Sequence, residues 1–342
     1  MKALVYYGPH QMQWEDWLEP QPGPGEALVR VRAVGICGSD LRGYTGESSH
    51  RVPPMVMGHE AAGEVIALGA DAPDKLLGMR AVMRPDLVCG SCDACRSGHV
   101  NHCSRRQLIG VHIQGAMAEF VTLPAGNLLP LPQEVSYAHG SLVEPLAVGL
   151  RAIHRAGEIA GRTVLIAGSG PIGLLTLVAA RQLGARAVVA TDVIPERLEV
   201  AAALGADAAL NPTEPDWEEH LVETIGAESV DTAFDAVGIP ATLGQCMQMV
   251  KTGGAVVAIG GWRSIELQMN QLVCKEIDLR GTFNYNVEEF EQALEWLAAG
   301  CFDPDLLVTH TYPLYEGADT FAYMAKKNTE GIKFILTQEA LG

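Results

Sequence analysis

Residues 163–192, TVLIAGSGPIGLLTLVAARQLGARAVVATD, restrict the possible folds more than any other part of the chain. The apolar run at 164–167 is too short for a helix and rich in branched side chains, which suits a buried strand. Gly168, Gly170 and Gly173 follow, then an apolar helical stretch at 174–183, then a second apolar run at 187–190 closing on Asp192. Strand, glycine turn, helix, strand and acid are the parts of a dinucleotide cradle. Gly168 permits the tight turn, Gly170 lets backbone approach a pyrophosphate, and Gly173 lets helix pack closely on strand. The helix start at Pro171 and Ile172 turns free N–H groups and the positive end of the dipole toward the phosphates. Asp192 lies 19 residues after Gly173, near the offset of roughly 20 at which an acid accepts from the ribose hydroxyls. A carboxylate there repels a 2′-phosphate, and Val193-Ile194-Pro195 supplies no basic residue, so NAD is favoured over NADP. Arg197 is placed to flank the ribose.

A chain of 342 residues exceeds a typical single core, so two domains are expected. The net charge of −17 argues against nucleic-acid and anionic-membrane partners, which need clustered Lys and Arg. No apolar run reaches the ~18 residues of a membrane span, and the opening MKALVYYGPH carries no secretory pattern. A cytoplasmic protein is expected.

Up to about residue 145 the chain is dense in Gly, Pro and short alternating runs, with strand candidates at 27–34, 64–68, 80–83 and 119–123. The texture then changes. Strands at 163–167, 187–191, 231–235 and 255–259 alternate with helices at 146–156, 171–183, 195–204 and 240–250. Past about 278 the β texture returns, with a helix at 287–299 and a last strand at 332–336. The expected fold class is α/β: a doubly wound parallel sheet at 148–278, inserted into a discontinuous, mostly β domain at 1–147 and 279–342. The active site is expected between the two domains. The turns holding Val237 and Ile259-Gly260 should line the cofactor crevice at the carboxyl ends of later strands.

Cys89, Cys92, Cys95 and Cys103 form C-x2-C-x2-C-x7-C. Four thiolates so close in one loop can close a tetrahedron around Zn²⁺. An iron–sulfur run would place the fourth cysteine nearer and follow it with Pro. Arg96, Arg105 and Arg106 can offset the thiolate charge. With four protein ligands no position is open to substrate, so this zinc is structural.

Three separated stretches hold further ligand types: Cys37 in GICGSD, His59-Glu60 in MGHE and Glu144 in VEPLA. Each has an ordinary alternative, respectively a small buried hydrophobe, a satisfied core imidazole and an acid favoured at a helix N-terminus. Together with the cysteine lobe and GSGPIG, in this order, they resemble the zinc-dependent medium-chain dehydrogenase/reductase family over essentially the whole chain. The acid in VEPLA resembles the polyol (sorbitol-type) branch.

That resemblance implies a GroES-like catalytic domain, a Rossmann domain and two zinc ions per chain, one catalytic and one structural. Cys37 and His59 are implied as catalytic zinc ligands, with Glu60 a ligand or alternating on and off the metal, and Glu144 ligating or holding its water. A polyol or other secondary alcohol would lose its proton beside the zinc and a hydride to NAD, leaving a ketone. Ser39 resembles the family's relay hydroxyl. Many relatives carry a histidine where this chain has Arg42, and arginine cannot act as a base. Protons then leave through water or ribose, and Arg42 is expected to pair with cofactor phosphate or an acid. The run 114–120, QGAMAEF, also departs from relatives and puts the substrate-pocket wall in question. Thr282-Phe283-Asn284 resembles the segment meeting the nicotinamide carboxamide, and Tyr44, Phe283, Asn284 and Trp262 are pocket candidates. A threonine-type 3-dehydrogenase is the alternative within the family, and a non-catalytic NAD-binding protein the alternative outside it. A homo-oligomer, dimer or tetramer, is implied, with 262–279 offering an edge for pairing.

Overall fold

The computed structural model describes residues 1–48, 50–261, 264–267, 269–326 and 330–338. No helix among them is long and apolar enough to cross a membrane. They divide into two units: 1–144 with 290–300 and 308–342, and 145–289 with 301–307.

The second unit is built on a parallel sheet whose strands, in spatial order, are Ala208–Leu210, Ala187–Thr191, Thr163–Ala167, Val230–Asp235, Val250–Ala258 and Asp278–Gly281. By rank in the chain the order is 3-2-1-4-5-6, the doubly wound arrangement. Thr163–Ala167 and Ala187–Thr191 are buried on both faces, as strands covered by helices on either side must be. The chain reverses between Thr163–Ala167 and Val230–Asp235, and such a switch point opens a crevice at the strands' carboxyl ends. The expected strands and helices of this region all form. Three further elements, Ala208–Leu210 and the helices Trp217–Ile225 and Met269–Cys274, were not anticipated. The strand is only three residues long and Ala-rich, and the helix WEEHLVETI is short, with Trp217, Leu221 and Ile225 recurring at helical spacing among acidic residues. The sheet also continues past residue 278, because Asp278–Gly281 pairs with Val250–Ala258.

Asp231 fastens the start of this sheet. Its Oδ2 accepts from the Thr163 backbone N–H at 2.8 Å and the Thr163 hydroxyl at 2.9 Å, and Lys251 Nζ lies 2.5 Å from Oδ1. Burial alone would raise the Asp231 pKa, but Lys251 and the Thr163 donors lower it to about 2. The folded-state pKa lies below the unfolded one, so this stabilisation is complete above the ordinary carboxylate range and fades as pH falls through it. Asp231→Asn should cost about 1–2 kcal/mol near neutral pH. The gap between variant and parent in chemical denaturation should close between about pH 5 and pH 2. A pH-independent gap would contradict this account.

The first unit is mostly β. Its largest sheet runs Leu128–Pro130, Arg80–Met83, Glu60–Leu68, Glu26–Gly35, Lys333–Thr337 and Val308–Pro313, with Phe120–Pro124 also pairing onto Glu26–Gly35. Lys2–Gly8, flanked by Gln11–Asp16 and Met55–Val56, forms a second sheet. Val29, Val31, Val34, Val65, Met117 and Phe321 lie in the shared core. Tyr44 belongs there too, packed on His10 and Phe321 rather than facing a pocket. Residues 115–118 do not form a free pocket wall either. They are buried, and the backbone N–H groups of Ala116 and Met117 donate to Gly58 and Met57, bracing the segment that leads into His59.

Candidate metal centre and cofactor site

Strand register builds the first site. At one end of Glu26–Gly35, Gly35 pairs with Glu60 on one side and Ile335 on the other. Cys37, just beyond that strand, therefore meets Glu60 and Lys333 from the two neighbouring strands. A side chain on Gly35 would strike the Glu60 carboxylate and lie 2.8 Å from Lys333 Cε, so its absence leaves room for that pair. Cys37 is also the N-cap of the helix Gly38–Tyr44. Its Sγ lies 3.4 Å from the Ser39 N–H, and its own N–H donates to Asp40 Oδ2 at 3.1 Å.

Donor atoms of Cys37, His59 and Glu60 all lie within 4.8 Å of one another. A thiolate, an imidazole and a carboxylate in that compass form a zinc-type donor set with room for a further ligand. The surroundings fit a metal as well. Asp40, fully buried, stands 3.5 Å from His59 Nδ1, the position of the outer carboxylate in a carboxylate–histidine–metal arrangement. Burial would raise the Asp40 carboxyl, yet His59 and Arg51 beside it hold it well below the usual range. Burial would lower His59, and Asp40 and Cys37 instead raise it well above 6.5. So much paired charge around one imidazole is costly to bury without a function.

Glu144, in the first turn of the helix Val143–Ala156, is buried but lies outside the 4.8 Å group. Burial pushes its pKa up to about 8, and Glu60 and Asp86 add to the rise while His59 and Lys333 oppose it. Glu60 is paired with Lys333, whose Nζ also donates to the Ile36 carbonyl at 3.1 Å. Burial would lower Lys333, and the opposed charges of Glu60 and Cys37 raise it instead.

The roles of Asp40, Arg51 and Lys333 were not legible in the sequence. Arg51 Nη2 donates to Asp40 Oδ1 at 2.6 Å and to Ser39 Oγ at 3.1 Å. The only available signal was a charged residue inside or beside an otherwise apolar pattern, as in GIKFILT.

The cysteine lobe closes as expected. Cys89, Cys92, Cys95 and Cys103 bring their sulfurs within 4.8 Å of one another, and none forms a disulfide. Separations of 3.5 Å for Cys92–Cys95 and Cys89–Cys103 and 3.8 Å for Cys89–Cys95 match the ~3.8 Å edge of a tetrahedron with ~2.3 Å zinc–sulfur bonds. Backbone N–H groups of Ser91 and Cys92, together with the thiols of Cys103 and Cys92, lower the Cys89 pKa to about 5. Arg105 lies against Cys89, whereas Arg106 pairs with Asp86 at 2.8 Å and Arg96 with Asp93.

In the second unit the glycine turn joins Thr163–Ala167 to the helix Pro171–Gln182, capped by Gly170. Gly168 has φ +97°, a left-handed backbone that favours glycine. A Cβ on Gly173 would run into the Gly168 carbonyl oxygen, so this position sets the closeness of helix and strand. Asp192 Oδ2 accepts from the Ser169 N–H in the turn at 2.8 Å, and Arg197 Nη1 lies 3.6 Å away. Asp235 Oδ1 accepts from Val237 and Gly238, and the N–H groups of Ile259 and Gly260 return to the Asp235 carbonyl. The later turns therefore cross at the strands' carboxyl ends. Thr282 keeps a buried Oγ1 with no hydrogen-bond partner, and Phe283 is half exposed.

Beyond Asp192 a cavity of about 600 Å³ opens, lined among others by Val193, Pro212, Ile239, Leu243, Ile265 and Leu267. It was not anticipated, because its walls come from separate strand ends. Ile265 and Leu267, expected to supply a pairing edge, lie on this wall and in no strand. Trp262 lies outside the described residues.

A doubly wound nucleotide unit, a mostly β unit with a zinc-type donor set and a four-thiolate lobe define a zinc-dependent, NAD-linked dehydrogenase. Residues 23–133 match the alcohol dehydrogenase GroES-like domain, and 171–299 match the zinc-binding dehydrogenase domain. The chain is 33% identical to sorbitol dehydrogenase of Bacillus subtilis over 98% of its own length and 97% of that protein. It is 32% identical to L-galactonate-5-dehydrogenase of Escherichia coli over 98% and 99%. An alcohol dehydrogenase of Escherichia coli CFT073, solved with NADH, superposes with a TM-score of 0.90 at 29% identity, covering 98% of this chain and 99% of that one. The chain belongs to the zinc-dependent medium-chain dehydrogenase family.

Proposed function

We propose that this enzyme oxidises a secondary hydroxyl of a polyol or a sugar-derived polyhydroxy compound to a ketone, with NAD⁺ as hydride acceptor. The Cys37–His59–Glu60 group, with His59 and Glu60 buried and Cys37 half-buried, carries the reading, because the donor set suits zinc and leaves a position for an oxygen ligand. Cys37, His59 and Glu60 or Glu144 would hold the catalytic ion, and Cys89, Cys92, Cys95 and Cys103 the structural one. Bound there, zinc supplies a Lewis acid that eases loss of the hydroxyl proton, and NAD⁺ supplies the two-electron acceptor.

The protein's own groups do the rest. Asp40 orients the His59 ring, Lys333 neutralises Glu60, and Ser39 stands beside Cys37 to move a proton. Gly168, Gly170, Pro171, Ile172 and Gly173 would cradle the pyrophosphate. Asp192 and Arg197 would flank the adenosine ribose, with the purine in the adjoining cavity. Val237, Ile259, Gly260, Thr282 and Phe283 would line the way to the nicotinamide, Thr282 Oγ1 offering its hydroxyl to the carboxamide. The sorbitol and L-galactonate relatives support a polyhydroxylated substrate. A homo-oligomer is part of this reading, supported by the outer position of Asp278–Gly281 in its sheet.

The direct test is NAD⁺ reduction over a panel of polyols, sugar acids, simple secondary alcohols and threonine, with and without chelator. Chelator-sensitive turnover with a polyhydroxylated substrate is the expected result. Turnover confined to threonine, or none with any member, would overturn it. For the cofactor, Asp192→Ala should raise the KM for NAD⁺ about 10–100-fold, the loss of a charged hydrogen bond of about 1.5–3 kcal/mol. The ratio of NADP⁺ to NAD⁺ turnover should rise with it, measured by initial rates on both cofactors.

A further inference from the structure

We infer that Arg51 is the positioning residue that fixes the direction of proton flow through Ser39, an assignment that rests on Ser39 being the relay hydroxyl of the proposed reaction. One guanidinium nitrogen, Arg51 Nη2, donates to Ser39 Oγ at 3.1 Å and to Asp40 Oδ1 at 2.6 Å. Arg51 is only 5% exposed and Asp40 is wholly buried, so that pair is shielded from competing water, while Ser39 itself is half-buried. The side chain reaches this position along the helix Gly38–Tyr44 past Gly43, where a Cβ would lie 2.5 Å from Arg51 Cδ.

The consequence follows from donor and acceptor counting. A serine hydroxyl has one hydrogen and two lone pairs, and a guanidinium has donors only. With one lone pair held by Arg51, Ser39 keeps one lone pair and one hydrogen for other partners. The hydroxyl becomes a one-in, one-out carrier. The substrate O–H bond breaks as an Oγ–H bond forms on the free lone pair, while the original Oγ–H bond breaks toward water or a cofactor hydroxyl. Ser39 ends neutral and the proton leaves to solvent. Arg51 cannot take that proton at any working pH, and its contact with Asp40 keeps the carboxylate from diverting the flow. Arg51 therefore acts through Ser39, on the side opposite the exit. Arg42, the residue expected to replace the missing histidine, is not needed to orient Ser39.

The test is a double-mutant cycle on the zinc-loaded enzyme: parent, Ser39→Ala, Arg51→Met and the double variant. The readouts are kcat, KM for NAD⁺, zinc per chain and the solvent deuterium isotope effect on kcat. Ser39→Ala and Arg51→Met should each lower kcat by roughly 10²-fold, the scale of a positioned proton-transfer group. The KM for NAD⁺ should not change. Compared at equal zinc content, the double variant should fall within about threefold of Ser39→Ala, because the part of the Arg51 effect that runs through proton flow exists only while Ser39 is present. Losses that multiply, or a parental kcat in Arg51→Met, would overturn the assignment. If Arg51→Met does not fold, Arg51→Lys keeps a cation on Asp40 and enters the same cycle with the same non-additivity expected. Multiplied losses there would overturn it equally. The underlying relay reading fails separately, through a Ser39→Ala enzyme with parental kcat and isotope effect, and the Arg51 assignment falls with it.

Discussion

Cys37→Ser is expected to reduce the zinc content from two ions per chain to one and to lower kcat/KM by about 10³–10⁵-fold. Loss of a Lewis acid contributing several kcal/mol to the barrier has that scale. The fold should survive, because Cys37 anchors nothing beyond the start of one short helix and the adjacent core is packed independently of it. Cys95→Ser should behave in the opposite way. Its sulfur faces Cys89 at 3.8 Å and Cys92 at 3.5 Å in a loop with few buried apolar groups of its own. Metal binding there is folding energy for the lobe. That variant should lose its zinc together with a clear drop in Tm, and activity should fall through instability. Elemental analysis with calorimetry separates the two cases. Retention of both zinc ions by Cys37→Ser would remove Cys37 from the catalytic set.

The second large effect is expected at Gly173. An added methyl would overlap the carbonyl oxygen of Gly168, backbone against backbone, with no flexible side chain able to give way. Gly173→Ala should cost about 3 kcal/mol or more, in the range of severe overpacking. It should also weaken NADH binding, because helix and turn must part to admit the methyl. Gly170→Ala is the informative contrast. There the nearest heavy atom to an added Cβ is Arg197 Nη1 at 3.9 Å, an ordinary contact. The fold should tolerate it, and the loss should appear in cofactor affinity alone. Thermal unfolding with NADH titration distinguishes a packing glycine from one that makes room for ligand. Equal Tm losses at both positions would remove that distinction.

These contrasts also mark how far the sequence could be read. The turn at 168–173 was legible down to the role of each glycine, because strand, turn and helix are contiguous and short-range sterics decide their geometry. The cysteine lobe was legible for the same reason, since a loop of that length cannot keep its thiols far apart. Tyr44 was read as a pocket candidate and 114–120 as a departure at the pocket wall, yet Tyr44 and residues 115–118 are buried. An aromatic or small residue near a functional motif looks the same whether it faces a ligand or the core, and here both face the core.

Sequence alone determined the two-part organisation, the dinucleotide turn with its acid and the four-thiolate loop, all governed by contacts within a few residues. Tertiary structure decided what surrounds the catalytic donors. Gly35 must register against both Glu60 and Ile335 before Cys37, Glu60 and Lys333 can meet. Arg51 must fold back along the Gly38–Tyr44 helix before it can hold Ser39 and Asp40 together. Pairing across a sheet is fixed by the burial of whole strands. No spacing within a single strand or loop encodes it.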